Sequence, residues 1–191
     1  HYGDQKREIS ADARNVALNI APENAEVPDE QKRYQFDFAS TNSVVVYDGK
    51  PIEPVDVRAR GIAYREGAEI TELNLKSPVA DSALSGRIEG WEDFRYNFNI
   101  NSTVDLTQTG TIFASGTALR GLGNFSGTVS GVGENYTVEG EINSEALAAD
   151  NVRLKALQVT AKATGTMGEN PTYEANGKAI AEMLTYEDFQ I

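Results

Sequence analysis

Cysteine is absent from the 191-residue chain, and histidine occurs only at position 1. The first absence excludes disulfide bonds, thiolate metal sites and cysteine nucleophiles, and it leaves the redox compartment open. The second disfavours a Ser-His-Asp triad, because His1 stands at the very start of the chain and no other residue supplies the imidazole base. The usual nucleophilic hydrolases are therefore poor candidates.

Positive charge is scarce. Lysine and arginine total 17 against 29 acidic residues, which gives a net charge of −12. No basic stripe is available to displace counterions from phosphates, so we expect no nucleic-acid partner. An anionic lipid surface would also repel such a chain.

Long hydrophobic runs are missing as well. No stretch of about 18 apolar residues exists, so no helix of this sequence is expected to span a bilayer. No signal peptide is visible. Because the chain begins with His1 rather than Met, we expect a piece of a longer protein or a mature form, with any anchor lying outside it.

Helical periodicity is also rare. The two best helix candidates are the segments 144–150 and 179–189, and both are short. Elsewhere apolar and polar residues alternate with a period of two, as in Tyr96-Asn97-Phe98-Asn99-Ile100, which is typical of strands with one apolar face. The pattern predicts an all-β fold with minimal helix.

Turn signals separate these runs. Asp48-Gly49 is the strongest hairpin signal, and longer turns are predicted at 131–135 and 168–171. The polar, proline-containing segment 22–32 is predicted to be a surface loop. The apolar parity switches between residues 13 and 16 and again between 154 and 157, which predicts a β-bulge or a bend at each place.

An internal repeat of about 40 residues is visible, a period typical of arrays and solenoids. Each copy has a glycine-containing strand, a tyrosine-containing return strand and a short leucine-bearing segment. We divide the single repeating unit 1–191 into approximate repeats 84–124, 125–162 and 163–191. The equivalent residues are Gly86, Tyr96, Ile100 and Leu106; Gly127, Tyr136, Ile142 and Leu147; Gly165, Tyr173, Ala179 and Leu184.

Hairpins of this kind bury their apolar faces only by stacking side by side. About ten strands spaced roughly 4.8 Å apart make a sheet on the order of 50 Å long, which is expected to curl. Its apolar side would then form a groove. The same alternation is typical of an ordinary sandwich core, and periodicity alone favours that core over a groove.

Other site signals are weak. The glycines of 121–127 follow strand alternation, with no lysine or following helix that would make a phosphate loop. Glu139 and Glu141 share the polar side of one strand and are interpreted as solvated charges rather than a glycosidase pair. We therefore expect no catalytic residues, no metal and no cofactor, and the chain is not expected to be an enzyme.

Three segments carry a resemblance to a known family: LSGRIEGWEDFRYNFNINSTVDL (84–106), TALRGLGNFSGTVSGVGENYTVEGEINSEALAADNVRLKALQV (117–159) and ATGTMGENPTYEANGKAIAEML (163–184). Their alternating glycine strands, tyrosine return strands and the Leu-Ala-Ala-Asp sequence resemble the TamB/AsmA-like family of bacterial envelope proteins, especially the TamB-type translocation and assembly module. The first 80 residues match this style only in their strand character.

The resemblance implies a periplasmic β-taco, which is a curled sheet with a hydrophobic interior, in a protein anchored in the inner membrane outside this segment. It implies phospholipid as the ligand, a role in outer-membrane biogenesis and an outer-membrane barrel assembly partner. Exposed strand edges also invite edge-to-edge pairing of two copies.

On this basis the expected lipid-binding groove residues are Tyr34, Phe36, Phe38, Val57, Phe94, Tyr96, Phe98, Ile100, Phe125, Val129, Tyr136, Val138, Ile142, Val152, Leu154, Leu157 and Val159. Three alternatives stay open: a structural or adhesive β-solenoid with a closed core, an outer-membrane barrel fragment, and an enzyme on a β-sandwich.

Overall fold

The computed structural model describes residues 9–24, 26–113, 118–167, 171–186 and 189–190. These residues form thirteen strands, one α-helix and a 3₁₀ turn at Asp29–Gln31. The elements are β1 (Ile9–Asp12), β2 (Ala17–Pro22), β3 (Arg33–Tyr47), β4 (Lys50–Tyr64), β5 (Gly67–Lys76), β6 (Ala80–Glu89), β7 (Arg95–Asp105), α1 (Leu106–Phe113), β8 (Leu119–Val132), β9 (Asn135–Ala149), β10 (Val152–Thr166), β11 (Thr172–Ile180), β12 (Met183–Tyr186) and β13 (Phe189–Gln190).

All strands belong to one antiparallel sheet. From β3 to β10 each strand pairs with the next one along the chain. At one edge β1 and β2 pair with different parts of β3, and at the other edge β11 and β12 pair with different parts of β10. The described edges do not meet, so the sheet is open and curled. The predicted all-β fold is confirmed.

The turns follow the local sequence. Asp48 and Gly49 have φ values of 50° and 74°, as a tight turn between β3 and β4 requires, and they join the directly opposite pair Tyr47 and Lys50. Gly133, with φ of 56°, lies in the turn between β8 and β9. Both turn predictions are confirmed, whereas residues 168–170 of the third turn lie outside the described residues.

The predicted parity switches have two different causes. In β10 the switch coincides with Ala156, whose φ is 51°, so the predicted irregularity within a strand is confirmed there. Between residues 13 and 16 the chain leaves the sheet, and Asn15 has φ of 45°. That switch is a break between β1 and β2. Buried Ser40 supports this break, because its hydroxyl donates a hydrogen bond to the Arg14 carbonyl at 2.9 Å.

Both helix predictions are wrong. Residues 144–149 belong to β9, and the 179–189 segment contains the end of β11, all of β12 and the start of β13, with 187–188 outside the described residues. Pairing with β10 on one side fixes each of these segments as a strand, and this overrides the helix propensity of their alanines and leucines.

The helix that the structure does contain, α1, was not predicted. Its start carries a recognisable signal: the Asp105 carboxylate accepts hydrogen bonds from the backbone N–H groups of Thr107 at 2.9 Å and Gln108 at 3.1 Å. An aspartate at this position satisfies donors that would otherwise lack partners at a helix N-terminus. The helix packs mainly on β8 and touches β7.

The sheet is a single layer. The chain exposes 13305 Å² of accessible surface, whereas a compact protein of 20.7 kDa would expose about 8,900 Å². The buried apolar side chains among the described residues are Val44, Ile52, Val55 and Ala68. The sandwich core that the alternation also allowed is therefore not found, because no second sheet packs on the first within the described ranges.

Candidate functional site: the apolar face of the sheet

The sheet has one apolar side and one polar side. In β7, Tyr96, Phe98 and Ile100 point to one side, while the intervening asparagines point to the other. Directly opposite residues of neighbouring strands share a side. The strand register therefore extends this division across the whole sheet, and we call the two sides the apolar face and the polar face.

Four rows of directly opposite residues make up the apolar face from edge to edge. None of the positions holds a charged residue. The rows are Pro22, Tyr34, Ala63, Ala68, Ile88, Tyr96, Gly131, Tyr136, Gly165 and Tyr173; Ile20, Phe36, Gly61, Ile70, Gly86, Phe98, Val129, Val138, Ala163 and Ala175; Leu18, Phe38, Ala59, Leu73, Leu84, Ile100, Gly127, Gly140, Ala161 and Gly177; Ser40, Val57, Leu75, Ser82, Ser102, Phe125, Ile142, Val159 and Ala179.

Glycines in these rows provide space for aromatic rings. A Cβ placed at Gly165 would stand 2.6 Å from the hydroxyl oxygen of Tyr136, and one at Gly131 would collide with the ring of Tyr96. A Cβ placed at Gly86 would likewise stand 2.8 Å from the Cδ1 atom of Phe98. The rings therefore lie low over the backbone, which keeps the apolar face smooth.

Much of this face is open to solvent. At the two edges the exposed fraction is 59% for Leu18 and 82% for Tyr173, and in the interior of the sheet it is 38% for Ile142. Most other row residues are half-buried, because neighbouring side chains in the same row shield one another. Such a continuous apolar surface is unusual for a soluble protein and indicates a binding surface.

The register brings most of the sequence-predicted residues together. Those in the four rows are Tyr34, Phe36, Phe38, Val57, Tyr96, Phe98, Ile100, Phe125, Val129, Tyr136, Val138, Ile142 and Val159. Phe94 lies just before β7 and contacts Tyr96, with ring centroids 5.8 Å apart.

The other three predicted residues lie near the irregularity at Ala156. Leu157 is opposite Ser144, directly beyond the fourth row. Val152 and Leu154 lie on the far side of Ala156, where Leu154 is opposite both Leu147 and Leu184. Val152 and Leu154 form a separate apolar patch at this end of the sheet, which we call the lower patch.

Several row residues were missed by sequence reasoning. They are Leu18, Ile20, Ile70, Leu73, Leu75, Leu84, Ile88 and Tyr173. The alternation of Leu18 with Ile20 was visible, and Tyr173 occupies the repeat position of Tyr96 and Tyr136. In β5 the parity changes between Ile70 and Leu73, where the register shifts, and this irregularity hid the pattern.

On the polar face, ion pairs join strands β3, β4 and β5. Asp37 accepts a hydrogen bond from Arg60 at 2.8 Å, and Arg60 also lies 3.3 Å from Glu72. The hydrogen bond to Asp37 is the main cause that raises the pKa of Arg60 above its usual value. Because these groups point away from the apolar face, they supply no charge to it.

Two openings lie near the ends of the strands. One, of about 580 Å³, is lined by Tyr34, Trp91 and the Asp29–Lys32 ion pair, whose hydrogen bond lowers the pKa of Asp29 and raises that of Lys32. The other, of about 520 Å³, includes Leu154 of the lower patch. Its lining combines Leu147, Leu154 and Met183 with the cationic residues Arg120, Arg153 and Lys155.

Within the described ranges, no group of three or more His, Asp or Glu residues is placed to hold a metal ion. No helix in this part of the chain is long and apolar enough to cross a membrane. The chain matches no family model, no curated protein and no solved structure.

Proposed function

We propose that the apolar face binds the acyl chains of phospholipids, and that the chain is a segment of a periplasmic conduit of the TamB type. The observation that carries this proposal is the set of four charge-free rows, which are partly exposed to solvent. Three of them run from β2 to β11, and the fourth runs from β3 to β11. In this proposal the chain binds and guides its ligand and performs no chemistry on it.

The dimensions suit an acyl chain. The eight strands from β3 to β10, with one split strand at each edge, give ten strand widths. At roughly 4.8 Å per strand the rows are about 48 Å long. The hydrocarbon core of a bilayer is about 30 Å thick, so the tails of one leaflet span roughly half of that. Each row could therefore accommodate more than one tail length.

The energetics suit it too. Each CH₂ group removed from water contributes about 0.8 kcal/mol, so a lipid tail gains from every position along a continuous row. The rows contain no carboxylate or ammonium group whose desolvation would oppose this gain. The flat seating of Tyr96 and Tyr136 over glycines leaves the path free of projecting rings.

A structural or adhesive β-solenoid with a closed side-chain core is the second candidate function. Such a protein would bury its apolar residues against another part of the chain. The open sheet and the 13305 Å² of accessible surface favour the lipid-binding proposal over this one.

The proposal is tested by placing the same charge on the two faces of one strand. Val138 lies in the second apolar row, opposite Val129 and Ala163, whereas its neighbour Thr137 lies on the polar face, opposite Ser130 and Thr164. The wild type, Val138→Glu and Thr137→Glu are expressed in a diderm bacterium, and co-purifying lipid is measured by native mass spectrometry and lipid extraction.

We expect glycerophospholipid with the wild type and with Thr137→Glu, and its loss with Val138→Glu. Thermal unfolding of each variant shows whether the fold is retained. Lipid retained by a folded Val138→Glu variant, or a wild type that is free of lipid and whose melting is unchanged by added phospholipid, would overturn the proposal.

A further inference from the structure

In the part of the chain that the structure describes, the outer side of β11 is an unpaired strand edge. Within the described residues β11 pairs only with β10, and all nine of its residues are exposed. The next outer strand, β13, pairs with β12 and so lies beyond the end of β11. Unpaired edges of this length are ready templates for a further strand.

The hydrogen-bond pattern shows which groups this edge presents. Opposite residues of antiparallel strands alternate between hydrogen-bonded and non-hydrogen-bonded pairs. The Met167 N–H donates to the Glu134 carbonyl at 2.8 Å, so the pair of Tyr136 and Gly165, two residues further along, is of the bonded kind. Gly165 and Tyr173 are then a non-bonded pair.

It follows that four residues of β11 direct their backbone N–H and C=O groups outward, away from β10. They are the apolar-face residues Tyr173, Ala175, Gly177 and Ala179. None of them is proline, so every outward donor is available. At the opposite edge of the sheet, β2 is only six residues long and its outward position Pro22 has no N–H. Of the two edges, β11 is therefore the one suited to pairing.

The tyrosine of β11 also lacks the glycine that its equivalents have. Tyr96 lies over Gly131 and Tyr136 lies over Gly165, in each case across a bonded pair to the next strand. Tyr173 occupies the same position in the third hairpin. No strand of the described ranges lies beyond it, and its exposed fraction is 82%. A partner strand that fits should place a glycine directly opposite Tyr173.

We propose that two copies of this chain pair through β11 about a two-fold axis centred on Ala175. An antiparallel pairing in which Ala175 faces Ala175 of the second copy places Tyr173 of each copy opposite Gly177 of the other. Each Tyr173 ring then lies over a glycine, as the rings of Tyr96 and Tyr136 do within the chain. The Tyr173–Gly177 pairs are backbone hydrogen-bonded pairs, like the existing tyrosine–glycine pairs.

The polar side of the same pairing is compatible. It places Glu174 opposite Asn176 and Lys178 opposite Thr172, so no like charges stand directly opposite one another. A register shifted by two residues in one direction would set Glu174 against Glu174. A shift in the other direction would set Tyr173 against Ala179 instead of a glycine. The sequence of β11 thus selects one register, and this inference holds whether or not the apolar face binds lipid.

The test places charges at the position that faces itself. Ala175→Lys and Ala175→Glu each put like charges opposite one another in the proposed dimer, and a mixture of the two variants puts opposite charges there. Asn176→Lys is the matched control, since it adds a charge on the polar face opposite Glu174. Mass is measured by sedimentation velocity in lipid-free buffer at roughly 1 to 100 μM, because small interfaces associate weakly.

We expect the wild type and Asn176→Lys to reach about twice the monomer mass of 20.7 kDa. Each Ala175 variant alone should associate about fivefold more weakly, because like charges directly opposite destabilise a strand pair by up to about 1 kcal/mol. The equimolar mixture should form a heterodimer. A monomeric wild type, a dimer unaffected by either Ala175 variant, or a mixture that stays monomeric would overturn the proposal.

Discussion

The hydroxyl oxygen of Tyr136 reaches to within 2.6 Å of where a Cβ of Gly165 would stand, on the neighbouring strand β10. The relationship recurs between Tyr96 and Gly131, one hairpin earlier. The repeat tyrosines Tyr96 and Tyr136 therefore each contact a glycine of the following hairpin. Glycine at these positions gives the ring room to lie flat, so that stacked hairpins share one even apolar surface.

The first prediction concerns the close contact between Tyr136 and Gly165. Gly165→Ala places a methyl group against Tyr136 and against the backbone oxygen of Thr172. Overpacking of this kind typically costs about 1–3 kcal/mol. Urea unfolding should show a loss of stability in this range.

Gly123→Ala is the matched control for that change. The nearest atom to a Cβ at Gly123 is 4.0 Å away, on Ile142, so the methyl fits. An alanine in a strand is favoured over glycine by roughly 0.5–1 kcal/mol, so this variant should be unchanged or slightly more stable. Equal stabilities for the two variants would show that Tyr136 does not depend on the glycine.

The sequence predicted the sheet better than it predicted the ends of the strands. Alternation in β7 and β9 identified Phe98 and Val138 as apolar-face residues, because the two-residue period of a strand is a direct consequence of its geometry. It could not distinguish a sandwich core from an open face, because both place the same alternating residues on one side of the sheet. The strand register and the accessible surface were needed for that distinction.

Other elements were not predicted correctly from the sequence, because local helix propensity and strand irregularities obscure the long-range strand pairing. The Ala-Leu-Ala segment 146–148 favours a helix by composition, but pairing with β8 and β10 makes it a strand. In β5 the irregularity between Ile70 and Leu73 interrupted the period. The helix α1 was missed although Asp105, its capping residue, was visible in the sequence.

The second prediction concerns that cap. Asp105→Ala removes the acceptor of the Thr107 and Gln108 N–H groups. Loss of such a cap typically costs about 0.5–2 kcal/mol. The expected result is a lower urea midpoint together with faster amide hydrogen exchange in α1. Asp105→Asn keeps an acceptor oxygen and should behave like the wild type; if both variants were indistinguishable from wild type, the cap would have no role in stability.

The third prediction concerns the cationic residues around the lower patch. Arg120, Arg153 and Lys155 line the same opening as Ala148 and Met183, so a lipid tail placed there would bring its headgroup near positive charge. Arg153→Glu should therefore weaken the binding of anionic phospholipid more than that of zwitterionic phospholipid, with the difference decreasing at high salt.

A control for this change lies at the other end of the strand. Lys162 is on β10 as well, where it pairs with Glu139 at 3.4 Å and does not line the opening. Lys162→Glu makes the same change in net charge and should leave the preference between the two lipids unaltered. If both variants reduced anionic binding equally, the overall charge of the chain would be responsible rather than the opening.

The central claim is that lipid lies on one face of this sheet, and position-by-position photo-crosslinking along β7 tests it most directly. A photoreactive amino acid is placed singly at positions 96 to 100 during expression in a diderm bacterium, and crosslinked phospholipid is identified by mass spectrometry. We predict crosslinks from Tyr96, Phe98 and Ile100 and none from Asn97 and Asn99, because successive residues of a strand face opposite sides. Crosslinks of equal yield at all five positions, or from the asparagine positions alone, would contradict lipid binding by the apolar face.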